Sequence, residues 1–285
     1  MNYNKAEARL GIGLMGPSLA LIVLLIIYPL LYNILISFFD VALDGSMVFI
    51  GLENYSRLLS DPDYWNALGY TVIFLLGTVL GTTLVGLGVA LLLNEKFVGR
   101  NVVRVVSLLP YFVPVISVVF AWKFIFDPVI GIYNYYMVDV WGLTEQRINM
   151  ASPRYGLMIS IIFDVWKRFA IATLLIFSRL QSINRDYYEA ASIDGAGPWK
   201  RFIYITLPEI SFVLGTIVLL RFIWNLNAFD TVFLISSSVK TVPVYAYYEA
   251  FTGSINQDYA ATISVLQLVF LALFIWFYVK KVLKW

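Results

Sequence analysis

Six long apolar stretches alternate with short polar ones along the 285 residues. A membrane-crossing helix needs roughly 20 mostly apolar residues. Runs of that kind fall at about 11–38, 69–93, 103–126, 156–178, 207–227 and 259–280. The pattern predicts an all-α integral membrane protein with six transmembrane helices, forming a single domain over 1–285. The first run is longer than the h-region of a cleavable signal, roughly 7–15 residues, and lacks a small-residue cleavage site, so it reads as a span. Between the first two runs, "DVALDGSMVFIGLENYSRLLSDPDYW" carries five acids against one Arg, with Gly and Pro signals that predict turns and short helices.

Basic residues orient these spans. With the N-terminus inside, twelve Lys and Arg fall in the cytoplasm: Lys5, Arg9, Lys96, Arg100, Arg104, Arg179, Arg185, Lys200, Arg201, Lys280, Lys281 and Lys284. Only Arg57, Arg147, Arg154 and Lys240 fall outside. The bias of basic residues toward cytoplasmic loops then puts both termini in the cytoplasm. Aromatic residues near span ends, Trp65, Trp122, Trp141 and Trp276 among them, read as interfacial anchors. In the second span, Gly77 and Gly81 form a small-xxx-small pair that predicts close helix packing, within the chain or against another subunit.

Composition agrees with a membrane protein and narrows the chemistry. The chain is 60% hydrophobic and 13% charged, where soluble domains carry about 25% charged residues. Mean hydropathy is +0.80. The absence of His and Cys removes imidazole bases, thiol nucleophiles and the usual zinc sites. A net charge of +2 does not argue for nucleic acid.

Lys123, Asp164, Lys167, Arg168 and Arg221 are charges that sit inside the runs. Lys123 lies near a span end and can snorkel. Asp164, Lys167, Arg168 and Arg221 fall near the bilayer midplane, where each isolated charge costs about 2.5–3.5 kcal/mol even on lenient insertion scales. They are expected to face protein or a wet cavity. Asp164 and Arg168 are spaced i,i+4, as are Arg221 and Asn225, with Trp224 beside them. In "LLPYFVPV", Pro110 and Pro114 bracket Tyr111 and predict a broken helix lining a cavity. Two compatible readings stay open here: a structural salt-bridge network, and a polar pathway for a hydroxylated solute.

The stretch from 179 to 206 contains "RDYYEAASIDGAGPWKRF". A short helix is expected through "RDYYEAASI", with Gly195 and Gly197 offering positive φ and Pro198 starting a further helix. On the residues alone, an ordinary cytoplasmic loop and a docking element are both open.

That stretch closely resembles the EAA loop of binding-protein-dependent ABC transporter permeases, through "EAASIDGAGPWKRFIYITLP". The resemblance extends over almost the whole chain. "LIIYPLLYNILISFFD", "FIGLENYSRLLSDPDYWNALGYTVIF", "GRNVVRVVSLLPYFVPVISVVFAWKFIFDP" and "YAATISVLQLV" look like the maltose and glycerol-phosphate branch, first-subunit type. The resemblance implies the type I ABC importer permease fold in a prokaryotic cell membrane. It implies a cytoplasmic coupling helix with Glu189, Ala190, Ala191, Asp194 and Gly195 docked in an ATPase subunit.

It also implies a sugar substrate contacted by Tyr111, Asp164, Lys167, Arg168, Arg221, Trp224 and Asn225. Where the maltose type carries uncharged residues this chain has charges, which leaves room for an anionic solute. Its outer "LISSSVKTVP" departs from the family's Gly-rich turn. The implied partners are a homologous second permease, two ABC ATPases, an external solute-binding protein, the sugar and the lipid bilayer. No Gly-x-x-x-x-Gly-Lys-Ser/Thr phosphate cradle occurs. No cofactor, metal or catalytic residue is therefore expected in this chain, with ATP and Mg on the ATPase subunits. The alternatives are an ion-coupled secondary transporter or channel, which leaves the EAA loop unexplained, and an intramembrane enzyme, which lacks residues for a catalytic dyad.

Overall fold

A computed structural model describes residues 5–42, 44–252 and 255–283; Lys284 and the side chains of Lys5 and Arg9 lie outside the described residues. The first part of the chain forms helices α1 (Lys5–Ile22) and α2 (Tyr28–Ile36), strands β1 (Phe39–Val41) and β2 (Met47–Phe49), and helix α3 (Glu53–Leu59). Then come α4 (Pro62–Asn94), α5 (Arg100–Phe112), α6 (Val115–Ile125), α7 (Ile132–Asn134) and α8 (Pro153–Gln181). The remainder forms α9 (Arg185–Ile193), α10 (Pro198–Arg201), α11 (Leu207–Leu226), α12 (Asp230–Ile235), α13 (Val242–Phe251) and α14 (Gln257–Tyr278). Wide π turns at Val23–Ile27 and Phe202–Thr206 join α1 to α2 and α10 to α11.

Among the described residues, four continuous helices are long and apolar enough to cross a membrane: Ile12–Ile36, Pro62–Asn94, Pro198–Leu226 and Gln257–Val282. Each overlaps an expected span. The expected third span, 103–126, is not one rod. It breaks between α5 and α6, which are bent by 98° and make a fifth crossing if counted together. Pro114 is the cause, because the residue before a proline is driven out of the helical region. Val113 is extended (φ −76°, ψ 136°), and α6 restarts after Pro114. Helix α8 is 29 residues long, and its central Asp164, Lys167 and Arg168 set it apart from the four apolar rods.

The chain folds as two compact units. The smaller comprises residues 1–64 and 245–270. In it β1 and β2 pair antiparallel, with Asp40 opposite Val48, so the first loop holds a hairpin as well as a short helix. Buried Asn54 donates to the Phe39 carbonyl at 3.0 Å and to Asp258 Oδ2 at 3.2 Å. Asp61 accepts from the Tyr245 hydroxyl at 2.6 Å and the Tyr259 hydroxyl at 2.7 Å. Partial burial pushes the Asp61 carboxyl up. Hydrogen bonds from the two tyrosines and from the Asp63 and Tyr64 amides outweigh it and hold the carboxyl below the usual range. Burial, together with the bond to Asp61, raises the Tyr245 phenol above its ordinary value.

The larger unit comprises residues 65–244 and 271–285, and α8 is its central element. A face of α8 with Ile159, Phe163, Ala172, Ile176 and Phe177 is buried. Two apolar clusters surround it: Ala90, Leu93, Ile210 and Ile217 pack on Ile176 and Phe177, and Val118, Val119 and Ile235 pack on Ile159 and Phe163. Helix α4 meets α8 along a glycine seam, which answers the expectation placed on Gly77 and Gly81. A Cβ at Gly77 would lie 3.0 Å from Ile161. One at Gly81 would lie 2.6 Å from Val165 Cγ2, and one at Gly86 would lie 2.6 Å from Ala172 Cβ. Small residues thus bring the two backbones into direct packing contact.

Candidate functional site

The charges near the middle of α8 and α11 meet in the larger unit. Asp164 has no exposed surface. Its carboxylate pairs with Arg221 on α11 and with Arg168 Nε at 3.0 Å, one helical turn along α8. Asn225, one turn beyond Arg221, donates to Asp164 Oδ2 at 3.2 Å. Helix α4 closes the set from a third side: Thr82 Oγ1 accepts from Arg221 at 3.4 Å, and Thr78 Oγ1 accepts from Asn225. Three helices thus contribute to one buried polar network. Such an arrangement is stable only when each charge has its partner, since desolvation of a lone ion costs more than the pair returns.

Beside this network lies a cavity of about 790 Å³. One wall comes from the break between α5 and α6: Tyr111, Phe112, Val113, Pro114 and Val115. The others come from α8 and α11, with Lys167, Arg168, Arg221 and Trp224 as their polar and aromatic members, and from Asn227 and Asp230 beyond the end of α11. Tyr111 and Trp224 are each nearly half exposed and offer flat rings. Arg168 is committed to Asp164 through Nε and reaches the cavity as well. Aromatic faces with a few convergent donors and acceptors suit a polyhydroxylated solute.

The 179–206 stretch is built locally. Asn184 caps α9 by accepting from the Asp186 amide at 3.1 Å. The helix closes with Asp194 N–H to Ala190 O at 3.1 Å, Gly195 N–H to Ser192 O at 3.1 Å and Ala196 N–H to Ala191 O at 2.8 Å. Gly195 takes φ +76°, the left-handed conformation in which helices commonly terminate and which glycine adopts without penalty. Gly197, expected to share that role, is extended at φ −67° and serves as N-cap to Pro198. Glu189, Ala190, Asp194 and Gly195 are exposed, and Ala191 is half-buried. Around them Tyr187, Ile193, Trp199 and Tyr204 expose apolar surface. The Tyr188 hydroxyl meets Thr206 Oγ1 at 2.9 Å, and Arg201 donates to Ser192 Oγ at 3.0 Å, which ties α9 to the segment leading into α11.

Residues 82–283 match the family described as "Binding-protein-dependent transport system inner membrane component". The chain belongs to this family. It is 40% identical over 255 residues to the inner membrane ABC transporter permease protein YcjO of Escherichia coli strain K12, covering 88% of this chain and 87% of that one. It is 36% identical over 231 residues to the trehalose/maltose transport system permease protein MalF of Thermococcus litoralis, covering 81% and 78%. A crystal structure of a bacterial ABC transporter involved in the import of the acidic polysaccharide alginate has a chain that superposes with a TM-score of 0.84. That match covers 98% of this chain and 96% of that chain at 19% identity, a likeness of fold. The protein is thus an inner-membrane ABC importer permease subunit and not an enzyme.

In this permease, five of the seven residues expected at the solute site line the cavity: Tyr111, Lys167, Arg168, Arg221 and Trp224. Asp164 and Asn225 stand behind the wall, 0% and 2% exposed. Thr78, Thr82, Asn227 and Asp230 were not anticipated. The two threonines carried a readable signal: they are spaced i,i+4 on α4, as Arg221 and Asn225 are on α11, so the two helices face each other as a ladder. Asn227 and Asp230 carried none, since they follow the helix end and their direction depends on how the chain turns.

Proposed function

We propose that this permease is the first of two homologous membrane subunits of an ATP-driven sugar importer, with six spans and both termini in the cytoplasm. An external solute-binding protein delivers the sugar, and two ATPase subunits supply the ATP and Mg chemistry. The sugar occupies the cavity at the α5–α6 break. Tyr111 and Trp224 pack on its ring faces, and Arg168 and Asp230 bond its hydroxyls. Asp164 and Asn225 act from behind by holding Arg168 and Arg221 in place. The α9 turn docks in a cleft of an ATPase through Glu189, Ala190, Ala191, Asp194 and Gly195. Closure of the ATPase pair then alternates access to the cavity.

The observation that carries this reading is the cavity itself, a largely apolar pocket with aromatic rings and a few charged groups, opened at a helix break in an importer permease. The trehalose/maltose relative supports a sugar as the solute.

The assembled importer in vesicles tests it. ATP-driven uptake of labelled sugars and acidic sugars is compared between the native chain and Trp224→Ala. Loss of one ring face is expected to raise the uptake KM about tenfold, equivalent to about 1.4 kcal/mol, with basal ATP hydrolysis retained. An unchanged KM moves the solute site elsewhere. Uptake that proceeds without the ATPases favours an ion-coupled carrier.

A further inference from the structure

We propose that Lys167 is a positioning residue of the cavity wall, its ammonium standing in for the backbone N–H that Pro114 lacks. In an α-helix each carbonyl accepts from the N–H four residues on. Four residues after Pro110 comes Pro114, which has no N–H to give, so the Pro110 carbonyl loses its partner. Val113 is extended and its carbonyl has left the helical ladder too. Pro110 is buried, and a buried backbone carbonyl needs a partner; Val113 is partly exposed.

Lys167 supplies it from α8. Its Nζ donates to Pro110 O at 3.2 Å and to Val113 O at 2.6 Å. An ammonium has three donors and no acceptor, and two of the three are spent on the break. The side chain is 5% exposed, so little of it is presented to a solute. Its base is well fixed, because Val165, two residues earlier, sits in the glycine seam against Gly81. Neighbouring Arg168 takes the other role, bound to Asp164 and reaching the cavity.

The consequence concerns specificity. Phe112, Val113, Pro114 and Val115 all line the cavity, so the angle of the break is the shape of that wall. Lys167 sets the shape and leaves recognition to others. The functional half of this statement rests on the cavity being the solute site; the structural half does not.

The experiment uses the absence of cysteine from the chain. Val105 on α5 and Phe120 on α6 are exposed. Replaced by cysteines and spin-labelled in the assembled importer, they report the bend as a distance distribution. Lys167→Met removes the donors and keeps the apolar stem. It is expected to shift and broaden the distribution and to lower the maximal uptake rate about tenfold, the cost of orphaning the buried Pro110 carbonyl. Lys167→Arg restores donors and is expected to return the native distribution. An unchanged distribution in Lys167→Met overturns the proposal, most directly if the uptake KM rises at the same time, because Lys167 then binds solute. Should Lys167→Met fail to assemble, Lys167→Arg decides: native distances support the donor role, and altered distances overturn it. The distances need no solute, so a failure of the sugar reading leaves this readout standing.

Discussion

Asp164 and Asp194 are both aspartates of the larger unit, and the sequence marks both as site candidates. Asp164 has no exposed surface and is held by Arg168, Arg221 and Asn225. Thr78 and Thr82 complete that network from a third helix. Asp194 is exposed at the end of α9, in a turn whose closing bonds span no more than five residues. The buried network joins residues up to 147 positions apart in sequence and needs the whole unit to be folded. The α9 turn carries its own instructions, and its exposed apolar rim lacks a partner surface within α9 itself. One region reports on the fold and the other on the docking proposed above. Polar residues of the same type therefore need opposite tests.

The sharpest test removes the centre of the network. Asp164→Ala leaves Arg221 buried without its acid and is expected to cost about 3–5 kcal/mol, read as a large drop in thermal midpoint or loss of the assembled complex. If stability holds and only solute uptake falls, the network belongs to the solute site and the contrast drawn above fails. Gly81→Leu comes next. Its side chain must displace Val165, and overpacking of this kind costs about 1–3 kcal/mol, measurable in the same thermal assay.

A smaller effect is expected at Asp61, a partly exposed carboxylate bonded by two tyrosines. Its folded pKa is depressed. Its contribution is therefore complete above the unfolded carboxylate value, about 3.9, and is lost as pH falls through the folded value. Stability is expected to fall by less than about 1 kcal/mol across that acid window. Asp61→Asn, compared by thermal midpoint against pH, removes this component. The smallest change in stability is expected for Ala190→Arg, within about 0.5 kcal/mol because the site is exposed. The same substitution is expected to abolish ATP-driven uptake. A stable variant that still transports would show that this face of α9 does not dock.

What could be read in advance divides along the same line. The α9 turn was legible almost completely, because caps, breakers and the left-handed glycine are properties of a few adjacent residues. Gly197 was the exception: Pro198 only required an N-cap before it, which an extended backbone satisfies. The apolar rods were legible for an equally local reason, namely length and hydropathy. The 98° bend was not. Pro110 and Pro114 announced a broken helix, but the angle depends on what α8 and α12 leave room for. The midplane charges were visible as costly residues with paired spacing. Spacing could not tell which of them turn toward one another and which toward open space. Asp164 and Lys167 are three residues apart on one helix, yet one joins an ion-pair network and the other grips a broken backbone.

The glycine seam between α4 and α8 bears on how this chain can drift in sequence. At Gly81 even a methyl group collides with Val165, and at Gly86 it collides with Ala172. A larger residue at 81 is tolerable only together with a smaller one at 165, and the same coupling ties 86 to 172. The two helices are in this sense one inheritance: each pair of facing positions has to change hands together, and a single step at either one leads downhill.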